Sequence, residues 1–296
     1  MDYLKSFENY LQFERRVSPH TIIAYLSDVL QFAEFLAECD KTFPEEVETA
    51  DIRNWLSELV LRENSPVTVN RKISCLRSFF RFLSIRHAYK KDPARYVKGL
   101  KKGQKSPLAI KESELSQLFE TLQLSGAENF IEYRTYIVFE LLYSLGLRRS
   151  ELIELKEDDI DFGRLTVRVK GKGSIVRELP IREELAKSIQ SFIEAKKEEF
   201  PENNLPYLIL TNKGKKSYDK MIYLLIRNYL DKMGITLQRK SPHVLRHSFA
   251  THLTDRGASL SAVRDLLGHS NLASTQVYLH NSNRKLKEVH KNCLPR

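Results

Sequence analysis

Ser241-Pro242-His243-Val244-Leu245-Arg246-His247-Ser248-Phe249-Ala250-Thr251-His252 reads as the start of a helix, with proline in the first turn, where no intrahelical N–H is needed. His243 and Arg246, three apart, share one face of it, so a ring that exchanges protons near neutral pH stands beside a guanidinium that stays charged. His247 and His252 are decoys. His247 faces elsewhere, and its plain role is a buried ring hydrogen-bonded to backbone. Reading outward, an amphipathic helix at 217–233 precedes this one, and an apolar helix, Ala262 to Leu267, follows it. Leu267-Gly268-His269 then opens a loop that can present His269, with Tyr278 nine residues further on. Upstream, periodicity predicts helices at 111–123 and 129–145, the second closed by Gly146 as a C-terminal cap. Arg148 follows at the junction, where Glu151 can orient its guanidinium from the next helical turn. Residues 164–180 alternate through Leu165, Val167 and Val169, pass a glycine-rich turn and resume at Ile175 and Leu179. That pattern predicts a β-hairpin, with Lys170 and Lys172 flanking Gly171 at its tip.

These residue types suit attack on a phosphodiester. A tyrosine hydroxyl titrates near about pH 10, so Tyr278 is a weak nucleophile unless a neighbour takes its proton. The attack loads negative charge onto the two non-bridging oxygens, and fixed donors aimed at them stabilise the transition state. Arginine does this best, because its planar fork grips two oxygens at once. Arg148 and Arg246 are the candidates, with His269 beside them. The departing sugar oxygen needs a proton, which Lys172 on a tight turn could deliver, and His243 could exchange one with the tyrosine. The plain alternatives are that Lys172 only solvates its turn, Lys170 or Lys215 being confusable with it from spacing alone, and that Tyr278 is a core or interface residue.

The first hundred residues read as helices. Apolar residues recur at three and four from Tyr3 to Phe13 and from Thr21 to Ala37, with Ser18 able to cap the second segment and Pro19 suited to its first turn. Another helix opens at Ala50-Asp51 around Trp55. Thr68 to Leu83 forms a fourth, with Ile73, Leu76, Phe79, Phe80 and Leu83 on one face and Arg71, Arg77 and Arg81 opposite. Charge gives that face a meaning. The 296 residues carry a formal net charge of +10, yet Asn64 to Lys111 alone holds thirteen Lys or Arg residues against one acid, Asp92. Such a balance, interleaved with aromatic residues, favours a polyanionic partner over an acidic small substrate. Arg71, Lys72, Arg77, Arg81, Lys101 and Lys102 are the expected phosphate contacts. An ordinary solvated amphipathic helix is the alternative.

Gly99 to Pro107 has the composition of a linker, which predicts a helical domain over 1–100, a basic linker over 101–107 and a second domain over 108–283, followed by a basic tail, 284–296. Three scattered cysteines without a C-x-x-C pair indicate neither a zinc site nor a disulfide framework. The N-terminus lacks the regions of a signal peptide, and no apolar stretch is long enough to span a membrane. The expectation is a cytoplasmic protein with no metal or cofactor.

Gly-Leu-Arg-x-Ser-Glu-Leu at 146–152, the Lys-Gly-Lys-Gly turn, the 242–252 stretch, and Leu-Leu-Gly-His-Ser at 266–270 followed by Thr-Gln-Val-Tyr at 275–278 together resemble the tyrosine recombinases. Ser18-Pro19-His20-Thr21, Leu76 to Phe80, Asp92-Pro93-Ala94 and Leu286 to His290 extend the resemblance nearly end to end, and it is strongest to the Xer recombinases. Arg149, where an apolar residue is common, and Cys293 depart from the pattern without touching a catalytic position. The resemblance implies a mainly α fold with a small β-sheet in the catalytic domain, and an N-terminal SAM-like, core-binding helical domain that completes a C-shaped clamp on duplex DNA. It implies a 3′-phosphotyrosyl intermediate formed by Tyr278, with catalytic Arg148, Lys172, His243, Arg246 and His269. It also implies a homo- or hetero-tetramer exchanging strands through a Holliday junction and a tail that docks on a neighbour, and it leaves open whether a DNA translocase serves as activator. A compact chain without an extra arm-binding domain suits chromosome- or plasmid-dimer resolution. The alternatives are a mobile-element integrase or invertase, a topoisomerase using the same step, or a DNA-binding protein without catalysis.

Overall fold

The computed structural model describes residues 2–101, 109–126, 129–171 and 176–268. The linker expected at 101–107, apart from Lys101, and the tail expected at 284–296 lie outside them. The chain divides into two compact units, Met1–Lys105 and Ser106–Arg296.

In the first unit, α1 (Asp2–Asn9) runs into a π-helical turn, Tyr10–Glu14, and is followed by α2 (Pro19–Glu38), α3 (Thr49–Leu61) and α4 (Pro66–Arg86). The local grammar is repeated: the Ser18 hydroxyl accepts the Thr21 N–H ahead of Pro19, and the Ser65 hydroxyl accepts the Thr68 N–H ahead of Pro66. Phe7, Phe32, Phe79, Phe80 and Phe82 are fully buried. Each such side chain contributes on the order of 1.5–3 kcal/mol on leaving water, which is why these short helices hold together.

The charged face of α4 differs from expectation. Lys72 is only 3% exposed, and its Nζ donates to Asp28 Oδ1 at 2.8 Å and to Gln31 Oε1 at 2.5 Å. It is therefore a counter-ion inside the unit and not a phosphate contact. The reason is an acid supplied by α2, since a buried carboxylate must be paired. Arg71 bonds to the other oxygen of Asp28, and Arg77 donates to the carbonyls of Ala94 and Val97. Arg81 and Lys101 are exposed, and Lys102 lies outside the described residues.

The second unit contains α5 (Glu112–Gly126), α6 (Phe130–Ser144), α7 (Arg149–Glu154), β1 (Ile160–Asp161), β2 (Thr166–Lys170), β3 (Val176–Pro180), α8 (Glu183–Glu199), α9 (Asp219–Lys232), α10 (Pro242–Asp255) and α11 (Leu260–Leu267). The expected hairpin is β2 paired antiparallel with β3, Val167 opposite Leu179, and β1 adds a third antiparallel strand with Ile160 opposite Val167. The fold is thus mainly α with one small sheet, as expected. Its main core gathers Phe139, Leu142, Val167, Ile189, Phe192, Ile226, Leu230 and Leu245. A separate cluster, Ala250, Val263 and Leu267 with Phe249 and Leu253 against it, fastens α11 to α10 and so brings the end of α11 to Arg246. Among the described residues no helix is long and apolar enough to cross a membrane.

Candidate active site

Two helix junctions build the site. After α6, Gly146 takes a left-handed backbone, φ +57°, which reverses the chain and buries Leu147. Arg148 emerges at the N-terminus of α7, where Glu151 Oε2 accepts the Arg148 backbone N–H at 2.8 Å and Oε1 accepts its Nη1 at 2.7 Å. One carboxylate therefore caps the helix and aims the guanidinium. From α10, Arg246 reaches the same place: its Nη1 donates to the Gly146 carbonyl at 2.5 Å and lies 3.8 Å from Glu151 Oε2. The turn that presents Arg148 also anchors Arg246.

The other junction is the end of α11. Gly268 there is left-handed, φ +61°. Three successive carbonyls each receive a different guanidinium: Leu266 from Arg177 Nε at 3.0 Å, Leu267 from Arg246 Nη2 at 2.6 Å and Gly268 from Arg148 Nη2 at 2.9 Å. Cations suit this position, because unsatisfied carbonyls and the helix dipole make a helix C-terminus partly negative. Three guanidinium groups around one carboxylate leave the cluster positive. Burial would raise the Glu151 pKa, but hydrogen bonds and charge from Arg177 and Arg148 outweigh it and hold the pKa below the usual carboxylate value.

His243 stands one turn before Arg246 with an exposed edge. Its pKa is held below the ordinary histidine value, first by partial loss of water around the ring, then by the charges of Arg246, Arg149 and Arg148. A lowered pKa means a neutral ring at neutral pH, able to accept a proton. Arg149 itself donates from Nη2 to Asp219 Oδ2 of α9 at 2.7 Å. Of the decoys, His247 is buried, and His252 Nδ1 lies 3.0 Å from the Tyr143 hydroxyl.

The structure thus brings Arg148, His243 and Arg246 together. Lys172, His269 and Tyr278 lie outside the described residues, although the chain reaches His269 directly from Gly268 and Lys172 belongs to the connection between β2 and β3. Arg177 was not anticipated by sequence. Its signal was available: it occupies the same inward register of β3 as buried Leu179, where a charged residue needs a partner.

Residues 109–285 match the model of the phage integrase family, and residues 4–87 match that of the phage integrase N-terminal SAM-like domain. The chain is 36% identical to the tyrosine recombinase XerC of Halalkalibacterium halodurans, covering 99% of this chain and 97% of that protein. It is 32% identical to the XerC of Chlorobaculum parvum, over 99% of this chain and 94% of that one. Its fold is similar to the crystal structure of the XerH site-specific recombinase bound to its palindromic difH substrate, with a TM-score of 0.79 at 20% identity, covering 97% of this chain and 84% of that one.

Proposed function

Since the chain belongs to the phage integrase family and is a tyrosine site-specific DNA recombinase of the Xer type, we propose that Tyr278 is its nucleophile and that the cluster around Glu151 receives the scissile phosphate. The Tyr278 oxygen attacks phosphorus, the bond to the sugar 5′ oxygen breaks, and a 3′-phosphotyrosyl link and a free 5′-hydroxyl result. Neutral His243 assists removal of the tyrosine proton. Arg148, Arg246 and His269 hold the non-bridging oxygens, and Lys172 protonates the departing oxygen. The 5′-hydroxyl of the partner strand then reverses the step in a new pairing. Bond energy is kept in the covalent link, so neither ATP, metal nor cofactor is called for.

The observation that supports this most is the pair of guanidinium groups, Arg148 and Arg246, steadied by Glu151 and by the helix end that leads into His269. A fixed fork lowers a barrier more than a mobile one, because no reorganisation is needed when charge develops.

On this reading residues 1–100 and 108–283 grip duplex DNA as core-binding and catalytic domains. Four copies, alike or mixed with a related recombinase, exchange strands through a Holliday junction, with residues 284–296 docking between neighbours and a DNA translocase supplying activation. The site of action is the cytoplasm, and the task is resolving chromosome or plasmid dimers. The XerC relatives favour that task over integration of a mobile element.

A nicked duplex carrying candidate sites traps the covalent adduct, because the short cleaved strand diffuses away. Wild-type protein should give a protein-DNA adduct, and Tyr278→Phe none. No adduct from the wild type on its cognate site, or an undiminished one from the variant, would overturn the mechanism.

A further inference from the structure

Arg177 belongs to none of the roles above, yet its guanidinium makes three hydrogen bonds within the cluster. Its Nη1 and Nη2 grip Glu151 Oε1 and Oε2 at 2.9 and 2.8 Å, a bidentate pair in which the Glu151 and Arg177 side chains are 3% and 12% exposed. Its Nε donates to the Leu266 carbonyl at 3.0 Å. Against Gly268 the fit is close: a Cβ there would stand 3.1 Å from Arg177 Nη1 and 3.2 Å from its Cδ. Arg177 also sits on β3, the strand into which the connection bearing Lys172 runs.

We propose that Arg177 is a positioning residue of this active site, whose one guanidinium fixes both the carboxylate that aims Arg148 and the end of α11 that leads into His269. The assignment rests on the function proposed above. Among the described residues Arg148 has one carboxylate partner, Glu151, and that carboxylate is held on its other side by Arg177. Without Arg177, Glu151 keeps the Arg148 backbone N–H and Nη1, with Arg246 Nη1 at 3.8 Å, but loses its bidentate partner in a buried place. A buried carboxylate that loses a cation takes up a proton more readily. A protonated Glu151 no longer orients Arg148 as an ion pair, so the phosphate grip loosens while the fold remains.

The test compares full-length Arg177→Met and Arg177→Lys with wild type on the nicked duplex, following single-turnover adduct formation against pH, with circular dichroism and thermal melting as folding controls. Arg177→Met should cleave about 10²-fold more slowly, the scale expected when catalytic groups shift by an ångström. Its loss of rate in acid should also begin nearer neutral pH and grow steeper, because Glu151 then takes up a proton at higher pH and adds to the limb set by His243. Arg177→Lys should recover part of the rate, since an ammonium supplies charge without the fork. A role in stability alone would lower the folded fraction and leave the acid limb where it is, and that result would overturn the assignment, as would wild-type rates in a folded Arg177→Met. If Arg177→Met does not fold, Arg177→Lys decides: slowed cleavage with a shifted limb supports the assignment, and wild-type behaviour defeats it. A Tyr278-dependent adduct from the wild type in the same experiment keeps any failure here separate from failure of the proposed function.

Discussion

His243 shows how one side chain can be tuned by the water and charge around it. Partial burial and three arginines disfavour its charged form, so its pKa falls and the ring stays neutral over a wider range. The sign of the effect on rate follows. A base is lost when pH drops through its pKa, so a lowered pKa extends cleavage to more acid solution than an ordinary histidine would allow. At subsaturating DNA, where groups of the free enzyme govern the rate, the acid limb assigned to His243 should therefore lie below the usual histidine value. A limb at or above that value, abolished by His243→Gln, would contradict this account. The same scale shows what a sequence conceals. Glu151 could be tied to Arg148 beforehand because the two are three apart on a helix, whereas Arg177 meets Glu151 across 26 residues and a hairpin. Lys72 was misread for the same reason, as its acid lies 44 residues away on another helix.

Most elements with local signals were legible, α8 excepted, and those defined by distant packing were not. Ser18-Pro19 announced α2, alternation announced β2 and β3, and a lone glycine announced the end of α6. The two-residue β1 exists only because β2 offers it an edge, and the π-turn Tyr10–Glu14 has no periodicity of its own. α8, absent from the expectations, has Leu185, Ile189, Phe192 and Ile193 at helical spacing, so its signal was present. The turn at Gly146 carries the element-scale prediction. A Cβ there would stand 2.6 Å from Phe249 Cδ1 on a backbone with φ +57°. The backbone alone costs a side-chain-bearing residue about 1–2 kcal/mol, and the clash adds to it. Gly146→Ala should lower the melting temperature and slow cleavage together, because the Gly146 carbonyl is one of the acceptors that anchor Arg246. An unchanged melting temperature would show that the turn can relax.

At the scale of the whole molecule, charge and connectivity separate two properties that one truncation can distinguish. On the proposed reading, phosphate contacts along the duplex belong largely to the basic surface of the first unit, and coupling between copies belongs to residues 284–296. Deleting that tail should leave DNA binding, and its steep weakening by salt, close to wild type while strand exchange collapses. Gel-shift titrations at several salt concentrations beside a recombination assay would measure both, and unimpaired recombination would refute docking. The paired interior of α4 also bears on the salt titration. Thirteen cations stand between Asn64 and Lys111, but Lys72 and Arg71 are held by Asp28, and Arg86 is paired with Glu14 at 2.7 Å. Those three already share two carboxylates within the protein, Asp28 and Glu14. The ions that DNA and this window shed on meeting should therefore number fewer than its formal charge suggests.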